Sequence, residues 1–408
     1  MNRVILHSDL NNFFASVECL SRPELTRVPM AVCGSVEERH GIVLAKNPPA
    51  RAMGVKTAEA VWQAKQKCPE LTIVEPHYDR YLDYSRRVRA IYGRFTDQIE
   101  PFGIDECWLD VTGSRLLFGT GREIARKIQR AVKGELGLGV SVGISFSKTL
   151  AKLGSGLCPP EGIFPLPRET FAALIKEVPV TELLGVGPAT AKTLARSLGI
   201  FTVGQLAGTP AEILSCALGK NGLSLWRAAN GLERSPVLRE TERDPVKSIG
   251  NSVTPRRDIA SVEDAGRLLL FLCEHVASRL RRQGLYASAA FLGLRDSRLR
   301  WKEFSCRLPL PTCLSETIYP PLLELLRQHW NEREPLRSMG LRASGLMGER
   351  ESFQLSFFSD IRQEKRARRL EAAADRIRER FGEDAVIRAS LLGERTAIFG
   401  CSFHFSGG

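Results

Sequence analysis

The chain has 408 residues, more than the roughly 250 to 300 that one hydrophobic core usually supports, so several domains are expected. Its 58 Lys and Arg against 46 Asp and Glu give a formal net charge of +12, which favours a polyanionic partner such as DNA, RNA or an anionic membrane. No apolar run approaches the roughly 20 residues that span a bilayer, no signal peptide is evident, and the cysteines show no C-x-x-C pair. We therefore expect a cytoplasmic protein with reduced thiols, without a zinc ribbon and without a membrane partner.

An acidic residue follows the first predicted strand. Val4–Leu6 is a β-rich run, and Phe13, Phe14 and Val17 then recur at helical spacing. This order predicts that Asp9 lies at a turn between strand and helix. Carboxylate oxygens are the ligands that Mg²⁺ prefers, and one or two suffice when substrate phosphates complete its coordination.

A second acidic pair, Asp105 and Glu106, lies next to turn residues. Pro101–Gly103 favours a turn, and Cys107–Val111 is typical of the strand that leaves it. Neighbours on an ideal strand point to opposite faces, so a hairpin corner is needed for both carboxylates to face Asp9. Two solvated surface acids beside a turn remain the alternative.

Both acidic segments resemble motifs of one family. His7–Glu18 and Glu100–Thr112 are similar to the two catalytic motifs of Y-family, DinB-type (UmuC-domain) translesion DNA polymerases, and the similarity continues in register over about residues 3 to 350. The resemblance implies a template-directed DNA polymerase that adds dNMP from dNTP to a primer 3′-hydroxyl by two-metal phosphoryl transfer. It also implies low fidelity and a role in DNA damage bypass, within DNA repair and replication.

The resemblance assigns the metal site. Asp105, Glu106 and Asp9 would be catalytic, and two Mg²⁺ ions would be bound by Asp9, Leu10, Asp105 and Glu106. Asp9 and Asp105 would bridge both ions, and Glu106 would bind the primer-side ion.

The resemblance also assigns substrate-binding residues. Phe14 would be the steric gate that excludes ribonucleotides, and Phe13 would pack beneath the nascent base pair or in the core. Arg51 would bind the triphosphate, for which the planar arginine fork is well suited, together with Lys152.

Two prolines depart from the family pattern in the phosphate-binding segments. Pro48 replaces a tyrosine and Pro159 replaces a lysine, and proline offers neither a hydroxyl nor a main-chain N–H to a phosphate. Ala45 also replaces a usual hydroxyl residue. We therefore expect an active enzyme that binds nucleotide weakly, with Arg51 and the helix lysines at 148 and 152 carrying the charge; a solvated helix face is the alternative for these lysines.

The resemblance and the sequence pattern predict an α+β multidomain fold. A ferredoxin-like palm with β-α-β-β-α-β order is expected, with helices over about 79–96 and 121–134. The fingers are predicted to contain strands near 28–34 and 41–45 and a helix over about 57–67. The predicted domains are a palm (1–18 and 76–165), fingers (19–75), a thumb (166–238), a little finger (246–350) and a tail (351–408).

The predicted thumb contains a helix-hairpin-helix. Leu183–Leu194 carries Gly185 and Gly187, which permit a tight turn and expose main-chain N–H groups to a DNA phosphate. A plain packing element is the alternative.

The predicted little finger concentrates positive charge. Residues 247–307 hold 12 Lys and Arg against 6 Asp and Glu, which is half of the net charge. Strands near 247–254, 289–294 and 301–308 and a helix over about 262–283 are expected, with Lys247 and Arg256 binding DNA. A solvated basic face is the alternative.

The tail contains a peptide that resembles sliding-clamp-binding segments of bacterial polymerases. Gln354, Leu355, Phe357 and Phe358 would enter a pocket of the β clamp, although a core plug or tail strand would give the same pattern. An amphipathic helix over 361–381, with a solvated basic face, should follow.

The partners expected from the resemblance are primer-template DNA, dNTP and the sliding clamp, bound by a monomer. Two rivals remain open. A non-catalytic DNA-repair scaffold would keep the DNA-binding parts while the two prolines mark lost nucleotide binding. A palm-domain nucleotidyl cyclase would need no template.

Overall fold

A computed structural model describes residues 3–35, 41–239, 242, 245–348 and 361–391. The chain forms two compact units, the first mainly from residues 3–34 and 42–242 and the second mainly from residues 245–391. No helix in these described ranges combines the length and the apolar character needed to cross a membrane. The predicted α+β fold is confirmed.

The first unit contains eight strands and eleven helices among its described residues. The strands are β1 (Ile5–Leu10), β2 (Met30–Cys33), β3 (Val43–Lys46), β4 (Thr72–Val74), β5 (Ile99–Pro101), β6 (Glu106–Asp110), β7 (Val140–Ser145) and β8 (Ile163–Pro165). The helices are α1 (Phe13–Ser21), α2 (Pro48–Ala52), α3 (Val61–Lys67), α4 (Tyr78–Tyr92), α5 (Arg115–Phe118), α6 (Gly121–Leu136), α7 (Lys148–Leu157), α8 (Phe171–Ile175), α9 (Pro188–Leu198), α10 (Val203–Gly208) and α11 (Ala211–Ala229).

The central sheet of this unit has the strand order β5-β6-β1-β7-β8. Strands β5, β6, β1 and β7 are antiparallel, and β8 joins parallel to β7. Side chains alternate along β1: Leu6 and Leu10 enter a core with α1, α4 and α6, whereas Ile5 packs with Trp108 and with Ala151 of α7. Helix α7 therefore covers the face of the sheet that also receives the side chains of His7 and Asp9.

A second, three-stranded sheet has the order β3-β2-β4. The helix predicted over 57–67 begins only at Val61, because Ala58 has a left-handed φ of 66° and the Gln63 side chain accepts a hydrogen bond from Ala60 N–H at 3.2 Å. Sequence periodicity also missed β4 and α2, which have three and five residues and are too short to show a period.

The remaining helices, α8 to α11, share one apolar core with the buried side of α7. Gly185 has a φ of 93° in the turn before α9, a conformation that favours glycine, and Gly187 is the N-cap residue of α9. The tight turn predicted for this segment is thus present in the structure.

The second unit is a four-stranded antiparallel sheet with helices. Its described elements are β9 (Ser248–Val253), α12 (Val262–Arg282), β10 (Leu285–Asp296), β11 (Trp301–Thr312), α13 (Ser315–His329), β12 (Leu336–Gly348) and α14 (Ile361–Phe381). The strand order is β11-β10-β12-β9, and α12 and α13 supply the core against the sheet. Strands β10 and β11 extend beyond the predicted runs.

Helix α14 docks through charged rather than apolar side chains. Arg281 of α12 pairs with Glu371 and, at 2.7 Å, with Asp375, and these three side chains are nearly buried. In contrast, Leu370 and Phe381 of the predicted apolar stripe are 72% and 68% exposed. The helix is confirmed, but its buried face is set by ion pairs instead of by the apolar pattern.

Replacing Arg281 by Met should destabilise the second unit by about 3 kcal/mol, because two nearly buried carboxylates each lose an ion-pair contact. The neighbouring Arg282→Met is the matched control, since Arg282 pairs with Glu379 at 3.0 Å on the exposed surface and should cost less than about 1 kcal/mol. Urea unfolding of the two variants measures the difference. Equal losses would show that the buried pairs contribute no more than a surface pair.

Candidate active site

Strand pairing brings the three predicted acids together. Asp9 lies directly opposite Glu106 in the antiparallel ladder of β1 and β6, and the main-chain N–H of Leu10 donates to the carbonyl of Asp105 at 3.1 Å. Asp105 occupies the bend just before β6, so the predicted hairpin corner is present. The predicted turn position of Asp9 is wrong: β1 continues to Leu10, and the turn consists of Asn11 and Asn12.

The close approach of the acids changes their protonation. Burial and the negative charges of Glu106 and Asp105 raise the pKa of Asp9 to about 7. Burial and Glu106 also raise the pKa of Asp105. The site therefore concentrates more negative charge than it can neutralise by itself, a condition that a bound cation would relieve.

Glu106 is held by two basic side chains. Lys152 of α7 donates a hydrogen bond to Oε2 of Glu106, and Nε2 of the fully buried His7 lies 3.4 Å from the same oxygen. Burial alone would raise the pKa of Glu106, but these neighbours outweigh it and lower the pKa to about 2. His7 is fixed from its other side by Ser155, whose Oγ lies 2.7 Å from Nδ1, and burial lowers the pKa of His7.

The donor chemistry of the site fits a hard divalent cation. Carboxylates of Asp9, Asp105 and Glu106 and the main chain of Leu10 are all oxygen donors, as Mg²⁺ prefers. Among the described residues, however, no group of three or more His, Cys, Asp and Glu side chains converges as a metal cage. The Glu106 carboxylate faces Lys152 and His7, so it would have to exchange these partners to join a common ion.

Phe14 lies at the start of α1 and is held by an aromatic neighbour. Its ring stacks on Tyr81 of α4 with a centroid distance of 4.3 Å and an interplanar angle of 12°. The Tyr81 hydroxyl donates to the fully buried carboxylate of Glu18 at 2.6 Å. Phe13 is buried in the core that the central sheet shares with α1, α4 and α6, which matches the core alternative for this residue.

The two lysines of α7 contact acids instead of solvent. Lys148 pairs with Glu100 at 2.5 Å and lies 4.5 Å from the ring centroid of Trp108, and Lys152 pairs with Glu106. The solvated-face alternative for these lysines is therefore wrong.

Arg51 reaches the strand-to-helix turn beside the acids. Its guanidinium donates to Oδ1 of Asn12, three residues after Asp9. Pro48 occupies the first position of α2, where a missing N–H costs nothing, and Pro159 lies in the exposed turn after α7. Neither proline disturbs the local fold.

The other predicted residues lie elsewhere. Gly185 and Gly187 form the turn before α9, in the same unit as the acids. In the second unit, Lys247 is exposed just before β9 and Arg256 is exposed between β9 and α12. The predicted clamp-binding residues, Gln354, Leu355, Phe357 and Phe358, lie outside the described residues.

Sequence reasoning missed four side chains that shape the site: His7, Asn12, Glu18 and Tyr81. His7, Asn12 and Glu18 all fall within the quoted motif, but their partners come from α7, α2 and α4, which no spacing rule connects to it. One local feature pointed to Asn12, since asparagine adopts the left-handed conformation more readily than most residues.

The chain is similar to known proteins over almost its whole length. The chain matches the sequence model of the impB/mucB/samB family over residues 8–156 and that of the family's C-terminal domain over residues 246–357. It is 44% identical to DNA polymerase IV of Acetivibrio thermocellus, covering 97% of this chain and 99% of that protein. It is 35% identical to DNA polymerase IV 2 of Bacillus subtilis, covering 96% and 95%.

A solved structure is similar in fold. The Y-family DNA polymerase chimera Dbh-Dpo4(243-245)-Dbh aligns with a TM-score of 0.74 over 85% of this chain and 99% of that chain, at 23% identity. The fold is thus that of a Y-family DNA polymerase. The chain belongs to the impB/mucB/samB family and is a DNA-directed DNA polymerase of the translesion, DNA polymerase IV type.

As a DNA polymerase the protein binds DNA and dNTP, and Y-family polymerases generally depend on divalent metal. The predicted family and reaction class are confirmed. The scaffold and cyclase alternatives are not favoured, because the relatives that match almost the whole chain are DNA polymerases.

Replacing Asp9 by Asn should stabilise the metal-free protein at pH 8. A carboxyl whose pKa is raised to about 7 favours the folded state fully at acidic pH, and this contribution is lost as the pH rises through 7. The stability difference between variant and wild type should therefore grow from pH 4 to 7 and then level off. Urea unfolding in a chelator at several pH values measures it, and a difference independent of pH would contradict the raised pKa.

Proposed function

We propose that Asp9, Asp105 and Glu106 hold two Mg²⁺ ions and that this site extends a primer along a template. The observation that carries the proposal is the register of β1 and β6, which sets Asp9 opposite Glu106 and next to Asp105. The raised pKa values of Asp9 and Asp105 support it, because these carboxyls need a cation to stay ionised together.

Divalent ions held there would supply activation of the primer 3′-hydroxyl and neutralisation of charge on the leaving pyrophosphate. The residues of the chain would set where these ions bind. Asp9, Asp105 and the Leu10 carbonyl would hold both ions. Glu106 would serve the primer-side ion after exchanging its contact with Lys152.

Nucleotide selection is proposed for α1 and α2. Phe14, backed by the stacked ring of Tyr81, would leave no room for a 2′-hydroxyl. Arg51 would bind the triphosphate from α2, while Pro48 and Pro159 offer no donor there. We therefore propose weak dNTP binding, with Lys152 as a further cation near the reacting phosphates.

DNA contacts are proposed for both units. The turn at Gly185 and Gly187 would present main-chain N–H groups at the start of α9 to a phosphate. Lys247 and Arg256 would contact the duplex backbone, since sequence-independent DNA affinity comes mainly from phosphates. We also propose that the protein acts as a monomer and that Gln354, Leu355, Phe357 and Phe358 bind the sliding clamp.

Primer extension on a primed template with dNTP and Mg²⁺ tests the function directly. Wild-type protein should extend the primer, and the Asp105→Ala, Glu106→Ala double variant should lose extension while still binding primer-template, because the acids bind metal and not DNA. The matched control is Asp97→Ala, an acid of the same unit that pairs with Arg239 at the exposed surface. Full extension by the double variant would refute the assigned acids.

Replacing Phe14 by Ala should admit ribonucleotides, because the ring that would block the 2′-hydroxyl is removed. The ratio of kcat/KM for dNTP to that for rNTP should fall by at least about tenfold, which corresponds to about 1.4 kcal/mol of discrimination. The control is Phe13→Leu, which changes the neighbouring ring in the core. An unchanged ratio in Phe14→Ala would remove the steric-gate assignment.

A further inference from the structure

The helix that carries Arg51, α2, is anchored by a buried asparagine side chain. Asn47, the N-cap of α2, is 2% exposed, and its side chain makes four hydrogen bonds. Their partners are the main-chain groups of Met30 N (3.0 Å), Ala50 N (3.1 Å), Leu25 O (2.9 Å) and Val28 O (2.8 Å). All polar atoms of this amide are used by main-chain groups in and around the three-stranded sheet, so the main chain of α2 at Arg51 is firmly anchored.

The guanidinium of Arg51 is held by Asn12, which lies in the turn between β1 and α1. Asn12 is the N-cap residue of α1 and has φ 51° and ψ 38°, in the left-handed region. Asparagine at an N-cap usually accepts from a main-chain N–H of the first turn, but here the side chain makes no capping bond. Its Oδ1 accepts from Nη2 of Arg51 instead.

The contact with Asn12 leaves the Arg51 guanidinium able to bind an anion. An amide oxygen orients the guanidinium without neutralising it, so Arg51 keeps its full charge for a phosphate. A carboxylate in the same place would compete with the ligand for the fork. Fixing a long side chain in advance also reduces the ordering cost on binding, which is about 0.5–1.5 kcal/mol for each side chain with many rotamers.

We propose that Asn12 is a positioning residue that holds the Arg51 guanidinium at the turn after Asp9, oriented for the triphosphate of the incoming nucleotide. The inference rests on the proposed function of this site. Positions 48 and 159 are both proline and offer no donor to a phosphate. Under this inference, Asn12 compensates in part by orienting Arg51 before the triphosphate binds. Asn12 itself does not touch the reacting atoms.

The first test is Asn12→Gly, which removes the amide and retains the left-handed backbone at no steric cost. The KM for dNTP in primer extension should rise about 3- to 10-fold with kcat within about twofold, because only ordering before binding is lost. Equilibrium dNTP binding to complexes with a 3′-dideoxy-terminated primer should weaken by the same factor, which separates binding from chemistry.

The second test is a double-mutant cycle with Arg51→Ala. In the Arg51→Ala background, Asn12→Gly should change the KM by less than about twofold, because there is no guanidinium left to position. An equal rise in KM in both backgrounds, or no rise in either, would overturn the inference. A purely structural role for Asn12 would give such an equal rise.

The outcomes separate the inference from the proposed function. A wild type that does not extend primers would overturn both. A wild type that extends, with Arg51→Ala leaving the KM unchanged, would overturn the inference and leave the polymerase function standing. If Arg51→Ala raises the KM for dNTP and Asn12→Gly leaves it unchanged, only the role assigned to Asn12 is overturned.

Discussion

The antiparallel pairing of β1 with β6 is the constraint on which the site depends. Because side chains alternate along a strand, the register that pairs Asp9 with Glu106 also sends His7, Asp9, Glu106 and Trp108 to the same face. A shift of one residue would turn Asp9, the acid of β1, into the core of α4 and α6. That core, with Leu6, Leu10 and Leu109 buried, fixes the register and therefore the geometry of the acids.

Helix α7 completes this face and supplies its positive charge. Lys148, Lys152 and Ser155 each contact a group on β5, β6 or β1, so one helix neutralises Glu100 and Glu106 and fixes His7. Burial and the neighbouring carboxylates raise the pKa values of Asp9 and Asp105, whereas burial of Glu106 is outweighed by His7 and Lys152, which lower its pKa. The protein thus divides its acids into one that is already paired and two that favour a cation.

Phe14 and Arg51, which are proposed to select and bind the nucleotide, are held by side chains that sequence reasoning did not predict. Tyr81 stacks on Phe14 and is itself anchored by Glu18, while Asn12 and Asn47 hold the two ends of the Arg51 arm. Each is a polar group whose hydrogen bonds are made within the protein. This arrangement fits a polymerase of the DNA polymerase IV type that carries proline at positions 48 and 159.

The sequence by itself determined the family, the α+β class and the segments that carry the acids, because the motifs are contiguous and local order predicts strand, turn and helix. It also placed the helices at 78–92, 121–136, 262–282 and 361–381 within a few residues. The tertiary structure alone decided that Asp9 is a strand residue, that α14 docks by ion pairs with its apolar stripe exposed, and that Lys148 and Lys152 pair with acids. It also decided which side chains support Phe14 and Arg51. The physical reason is separation along the chain. Periodicity and turn chemistry act over a few residues, whereas these contacts join side chains that are 39 to 94 residues apart. Only the packing of whole helices and strands brings such side chains together.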